Sequence, residues 1–257
     1  MDTVEDTITP AKGDVEPAPA MPLFYSALEV VSAQSHGLLR LRRDAPLPEA
    51  RAIGALPLTV NEIPLVGRHL PVVFAEAPPH APVALMRLTE GGAGAAFDEA
   101  GHWRAGRYIP VYLRRLPFLL VATGAGDGRF VLCCDPTSPA FSSSEGAALY
   151  DTAGDPTQTL QAAFAVARDA QAAFERTRLF CERLQEIGLL MPSTARVAQR
   201  PGMQRALEVT GFRAVDRAAL ARLEPAQLAQ LRDDGYLEAI YAHLHSIEGI
   251  GELPLPV

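Results

Sequence analysis

The stretch "IPVYLRRLPF" at residues 109–118 sets two prolines and two adjacent arginines into an otherwise apolar run, and "IPLVGRHLPVVF" at residues 63–74 repeats its Ile, Pro, Arg, Leu and Pro. Pro64 pairs with Pro110 and Pro71 with Pro117, both at an offset of 46. Proline suits the first turn of a helix, where its missing N–H has no partner to lose, and it cannot continue one. Each stretch therefore predicts a short helix that opens at its first proline and stops before its second. Thr59 or Asn61 supplies a cap for the earlier one.

Outward from these helices, apolar runs predict strands: "VVFAEA" from Val72 and "PVALMRL" from Pro82, then "FLLVATG" from Phe118 and "RFVLCCD" from Arg129. A hairpin follows in "AAFDEAGHW", its turn running from Asp98 to Gly101, and "FDEAG" from Phe97 meets "YDTAG" from Tyr150 at an offset that has grown to 53. The extra residues fit the Pro-, Ser- and Gly-rich loop "DPTSPAFSSSEG" as an insertion. The reading is an internal duplication, about residues 57–103 and 104–155. In each copy the apolar residues, Ile109, Leu113 and Leu116 in the second, face a sheet, and Arg114 and Arg115 lie where the helix turns outward.

Before the first copy, "FYSALEVV" and "HGLLRLRR" predict two short strands, joined to it by a Pro-rich connector at residues 45–57. Beyond Asp155 the pattern turns helical. Leu160, Phe164, Ala167, Gln171, Phe174, Arg178 and Cys181 recur at helical spacing until Gly188 offers a stop, and Leu160, Phe164 and Phe174 are expected to be buried. Gln171 and Arg178 interrupt that seam, which favours packing on the sheet over a coiled coil. "RALEVTGFRAVD" at residues 205–216 predicts a strand with a turn at Gly211, Asp216 and Pro225 start two short helices, and "YLEAIYAHLHSI" closes the chain with another. The fold class is α+β: a sheet-containing core at residues 21–155 built from two helix-then-strand repeats, with a mainly helical region at residues 156–257 packed on it.

The 257 residues are 48% hydrophobic and 21% charged, enough apolar material for a sizeable core. Residues 1–20 combine Asp, Glu, Pro and Ala and read as a disordered acidic tail. With a net charge of −7 the surface is unsuited to non-specific binding of nucleic acid. The tail has acids where a Sec signal needs bases, and no apolar run approaches the roughly 20 residues of a membrane span. Cys133, Cys134 and Cys181 are odd in number and two are adjacent, which points to a reducing compartment and no disulfide framework. A cytoplasmic location is expected, with the cell surface through a non-Sec route as the alternative.

Motifs for chemistry are sparse. His243 and His245 are two apart, about 200° on a helix, where paired metal ligands need spacings of three or four. Neither a nucleophile elbow nor a phosphate loop is present, and "TGAGDG" at residues 123–128 falls between two predicted strands, where a hairpin turn is the simpler reading. No catalytic residue, metal or cofactor is assigned. The weak candidates for a ligand- or partner-binding surface are Arg68, Arg114, Arg115, Trp103, Arg107 and Tyr108. Guanidinium groups near helix C-termini are explained by the helix dipole, and alternatively hold a carboxylate or phosphate in paired hydrogen bonds.

Taken together, "FDEAGHW", "RYIPVYLRRLPF", "LYDTAGDPT", "RTRLFCERLQEIGLL" and "LEAIYAHLHSI" resemble the pattern of the bacterial SapC family, in the same order from about Tyr25 to Leu253. The resemblance implies association with surface-layer gene clusters and with neighbourhoods encoding outer-membrane uptake receptors. It carries no established reaction and no site residue. The expectation is an accessory protein with a protein or small-molecule partner. The alternative is an enzyme of unrecognised type with an anionic-substrate pocket between the two repeats.

Overall fold

Proline placement and one capping carboxylate start the core of this protein, whose computed structural model describes residues 21–47, 53–88, 96–124, 128–199 and 206–253. The expected acidic tail lies outside the described residues, as do parts of the connector and of the glycine cluster. Ahead of the first quoted segment come β1 (Glu29–Val30), α1 (Ala33–His36) and β2 (Arg40–Leu41). The segment itself begins with β3 (Ala55–Pro57) and a 3-10 turn at Val60–Glu62, where Thr59 and Glu62 form a reciprocal capping box. α2 (Ile63–Val66) follows with proline in its first turn, then β4 (Val72–Ala75) and β5 (Pro82–Leu85). The second segment traces α3 (Val111–Arg114), capped by Pro110, then β6 (Phe118–Ala122) and β7 (Phe130–Cys134).

Each segment thus places a short helix before an antiparallel hairpin, and both end in a loop of the same geometry. Asp98 Oδ1 accepts from the amides of Ala100 and His102, both at 2.9 Å, and Asp151 Oδ1 accepts from Ala153 at 2.8 Å and Asp155 at 2.9 Å. Gly101 and Gly154 close these loops at φ of 88° and 87°, values that glycine tolerates without strain.

The remaining elements are β8 (Phe141–Ser142), β9 (Ala147–Ala148), α4 (Gln158–Glu186), β10 (Leu190–Val197), β11 (Leu207–Val215), α5 (Arg217–Ala221), α6 (Pro225–Asp233) and α7 (Leu237–Ser246), with a 3-10 turn at Ile247–Glu252. The fold is α+β with three sheets, in the orders β1-β7-β6, β8-β2-β9 and β10-β11-β4-β5-β3. The largest sheet therefore draws strands from both sides of α4. β11 pairs with β4 through Phe212 to Ala75 and Arg213 to Phe74. The region after residue 156 is helical except for this β10–β11 hairpin. β10 escapes a pattern reading because it is polar and largely exposed, with burial supplied at Val197. Gly211 makes no turn. It sits at φ 78° inside β11, opposite the register shift between Ser193 and Ala195, and so forms a β-bulge.

β4 is central and covered on both faces. Val72 and Phe74 point into the main core with Phe180 and Leu184 of α4, while Val73 meets Phe212, Ala214 and Val197 on the other face. α4 ends in a Schellman motif: Leu189 N donates to Leu184 O at 2.8 Å and Gly188 N to Gln185 O at 2.9 Å. Its N-terminal half packs Leu160 against Phe118, Cys134 and Leu149. Two expected core residues turn out to face water: Phe164 is 43% exposed and Ile109 45%. Phe164 lies on the flank of α4 beside the narrow sheet that ends at β1, which is too short to cover it. Ile109 precedes the first helical turn, so helical periodicity does not govern its direction.

α7 is stitched to the start of β4. His243 Nδ1 donates to Val72 O at 2.8 Å, and His243 Nε2 accepts from Val215 N at 3.1 Å. Ser246 Oγ accepts from Val72 N at 3.0 Å and donates to His243 O at 2.8 Å. An imidazole that accepts at Nε2 is neutral, and burial pushes the pKa of His243 down to about 4, with nearby Arg217 adding to the effect against the Val72 hydrogen bond.

This packing separates two phenylalanines of α4. Phe180→Ala should cost roughly 3 to 5 kcal/mol in urea unfolding through lost transfer energy and the cavity left behind, whereas Phe164→Ala should cost less than about 1 kcal/mol. Equal midpoints for the two variants would contradict the assigned core. For His243, the unfolded chain takes up a proton near the ordinary histidine value of 6.5, while the folded chain resists until about 4. The stability it contributes is complete above roughly pH 6.5 and is lost as pH falls toward 4, at about 1.4 kcal/mol per pH unit. The stability gap between wild type and His243→Gln should therefore narrow between pH 7 and pH 4.5, and a gap independent of pH would refute the neutral imidazole.

Candidate functional site

The turn that closes α2 carries Arg68 and His69 to the surface, because Gly67 lets that turn lie against α7. A Cβ on Gly67 would stand 3.3 Å from Ser246 Cβ. Across from the turn runs the loop containing Arg104 and Arg107, and beneath both lie His245 and the 3-10 turn with Glu248 and Glu252. Together they enclose a cleft of about 760 Å³. Three guanidinium groups from two separate stretches converge here. Of the two acids, Glu248 is engaged by Arg217 at 3.1 Å. Ser246 also lines the cleft, but its hydroxyl is committed to Val72 and His243. It is no nucleophile.

The six residues singled out by the sequence fall in several places. Arg68 and Arg107 share the cleft. Tyr108 and Arg114 stand instead beside Glu62, which is 3% exposed and gathers four hydrogen bonds. It accepts from Thr59 N at 2.9 Å, Thr59 Oγ1 at 2.8 Å, Tyr108 Oη at 3.0 Å and Val111 N at 2.6 Å. Arg114 donates to Tyr108 Oη at 2.9 Å and lies 4.0 Å from the Glu62 carboxylate. Burial, then the neighbouring Glu62 charge, raises the pKa of Tyr108. The phenol stays protonated and relays between carboxylate and guanidinium.

Arg115 corrects the expectation that both arginines of the pair turn outward. It is 8% exposed, with its guanidinium 4.3 Å from the ring centre of Tyr112, 5.2 Å from Phe174 and 6.0 Å from Tyr25. Consecutive helical residues differ by about 100°, so Arg114 meets solvent and Arg115 enters an aromatic cage. Arginine tolerates the cage because its delocalised charge is weakly hydrated and attracted to ring faces. Burial raises the pKa of Tyr25 and of Tyr112, so the rings remain neutral. Trp103 packs edge-on to Phe97 at 5.1 Å, with its indole N–H buried and unpaired. The side chain as a whole is half-buried and packs against the edge of the main core.

The family model for SapC matches residues 31–253, nearly the whole chain. The chain belongs to the SapC family. No curated protein and no solved structure matches it. The cleft, the Glu62 cluster and the Arg115, Tyr112 and Phe174 members of the aromatic cage lie within the matched region, and Tyr25 precedes it.

Elsewhere, this SapC-family chain offers little for chemistry among the described residues. No group of three or more His, Cys, Asp or Glu is arranged to hold a metal ion, and no helix is long and apolar enough to cross a membrane. Burial pushes the thiols of Cys134 and Cys181 up to about 12 and raises that of Cys133, which keeps all three as protonated packing groups. Sequence reading missed Arg104, His69, His245 and Glu62. Arg104 was detectable as the partner of Arg107 in "RAGR", and Glu62 as the fourth residue of the T-x-x-E capping pattern from Thr59. His69 and His245 had no sequence signal, since their convergence depends on α7 docking beside α2.

The cage and the cluster predict opposite costs for neighbouring arginines. Arg115→Gln should destabilise by roughly 2 kcal/mol or more, because a desolvated cation loses three ring faces. Arg114→Gln, at a largely solvated position, should cost no more than about 1 kcal/mol. Superimposable urea unfolding curves for the two would rule out the cage as an energetic feature.

Proposed function

We propose that this SapC-family protein is a non-catalytic accessory protein that holds a partner of a bacterial surface-layer or outer-membrane uptake system through the arginine-lined cleft. The observation that carries this reading is the convergence of Arg68, Arg104 and Arg107 on one cleft in a chain of net charge −7. A local positive site on an acidic protein selects an anionic group while the rest of the surface repels indiscriminate contacts. The expected cytoplasmic location, and the origin of the two helix-and-hairpin segments as copies of one unit, are part of the same proposal. The matching Asp98 and Asp151 loops support the duplication.

A second reading draws on the polar lining of the cleft: an enzyme that transforms its anionic ligand there. Both are addressed by affinity capture from native lysate with the wild-type protein and with an Arg68→Glu/Arg104→Glu double variant, followed by mass spectrometry of the proteins and small molecules recovered. The proposal expects an envelope-system component held by the wild type and lost from the variant. Equal recovery by both would overturn the cleft as the binding surface, and a bound ligand converted to a new product would replace the accessory role with the enzymatic one.

A further inference from the structure

A second cavity, apart from the arginine-lined cleft, carries the opposite charge. Its volume is about 250 Å³, and it lies where the chain ahead of β1 meets the end of β7 and the turn after α3. Asp135 lines it and is 2% exposed. Oδ2 of Asp135 accepts from Ser26 N at 2.6 Å and Ala27 N at 3.4 Å, and Oδ1 accepts from Thr137 N at 2.9 Å and Thr137 Oγ1 at 2.7 Å. Burial acts to raise the pKa of this carboxyl, but the hydrogen bonds from Thr137, Ser26 and Ala27 outweigh it and hold the group below its ordinary range. All four donors are neutral, so they keep the carboxylate ionised without cancelling its charge. No lysine, arginine or histidine lines the cavity, and among the described residues Asp135 has no ion-pair partner. Arg42 donates to the carbonyl of the lining residue Pro139, but its charge is paired with Glu145 at 3.6 Å. Arg115 is taken up by its aromatic rings.

Facing this charge, Phe24, Leu47, Leu116 and Pro139 supply an apolar wall. Phe24 is held there at a conformational cost. Tyr112 Oη donates to Leu23 O at 3.0 Å on one side of it, Ser26 N is tied to Asp135 on the other, and between these anchors Phe24 sits at φ 70°. Bulky side chains rarely adopt that region, and such strain clusters at binding and catalytic sites. A fixed carboxylate in a partly apolar recess attracts cations more strongly than one in open water, because its field is less screened. Aromatic faces add to the attraction for an ammonium group. A bare metal ion would leave the apolar wall without a partner, and a neutral hydrocarbon would leave the charge without one. The volume is small beside that of drug-sized sites, so the occupant is compact. We propose that this cavity binds a small organic cation, an ammonium group on a short apolar skeleton, with its charge against Asp135 and its skeleton against Phe24, Leu47, Leu116 and Pro139.

The test is isothermal titration calorimetry of the full chain with butylammonium chloride and, separately, choline chloride, each against sodium chloride at matched ionic strength, with 1-butanol as the uncharged counterpart. At least one of the two cations should bind saturably and more tightly than 1-butanol. Asp135→Asn removes the charge and should weaken that binding roughly tenfold or more. The same variant places an amide NH₂ or a weaker acceptor before the Ser26 and Thr137 donors, so its fold is checked by thermal melting. Ser26→Lys decides the matter where Asp135→Asn fails to fold. Ser26 is exposed and lines the cavity, so a lysine there supplies an internal ammonium that should compete with the ligand and weaken its binding roughly tenfold or more, without lowering the melting temperature. Preference for butylammonium assigns a primary amine, and preference for choline a methylated one. Absence of saturable binding by both cations, equal binding of 1-butanol, or binding that a folded Asp135→Asn or Ser26→Lys chain leaves unchanged overturns the inference.

Discussion

The architecture depends on the way one residue, Val72, is held. It opens the central strand of the largest sheet, and both of its backbone polar groups are taken by α7, the amide by Ser246 and the carbonyl by His243. β4 and β11 pair only at Phe74 and Ala75. Toward Val72 the two strands are bridged by the imidazole, which donates to one and accepts from the other. A direct ladder would leave α7 no polar anchor on the sheet. Buried backbone groups must find partners, and here the helix supplies them, so sheet order and helix position are fixed by the same contacts.

That clasp also places the cleft. With His243 turned fully inward, His245 lies about 200° away on the helix and emerges on the side that faces Arg68 and His69. The 3-10 turn that continues α7 then forms the cleft floor. The cleft is thus assembled from elements far apart in sequence: the end of α2, the loop before α3 and the end of α7. Its geometry rests on buried contacts even though its charged groups are solvated.

Glu62 performs a second joining role. Its carboxylate completes the capping box at the head of the first segment and accepts the amide of Val111 at the head of α3 in the second. A buried carboxylate is costly unless its oxygens are satisfied, and four donors satisfy this one. The start of each helix is fixed relative to the other, and Arg114 is drawn to the rim by way of Tyr108. Arg115, one step further along, is committed to the interior and cannot take part in surface binding without leaving the Tyr112 and Phe174 rings.

Local rules determined much of this protein from the sequence. Pro64 and Pro110 mark helix starts, Thr59 and Asp216 cap, Gly188 ends α4, and Asp98 and Asp151 order loops closed by single bridges where the sequence suggested a hairpin at Asp98, because each outcome turns on the backbone chemistry of a few adjacent residues. The family pattern was legible for the same reason, as a string of such local signatures. Only the tertiary structure decided that Arg115 is caged while Arg114 is solvated, that Phe164 is left uncovered, that Gly211 bulges within a long strand instead of turning it, and that β10 and β11 join the sheet of the first segment. It also decided that Arg68 and Arg107 meet in one cleft while Arg114 does not. Periodicity states which residues share a face, but what covers that face is set by packing between elements distant in the chain, and a charged side chain takes its role from the partners that packing brings to it.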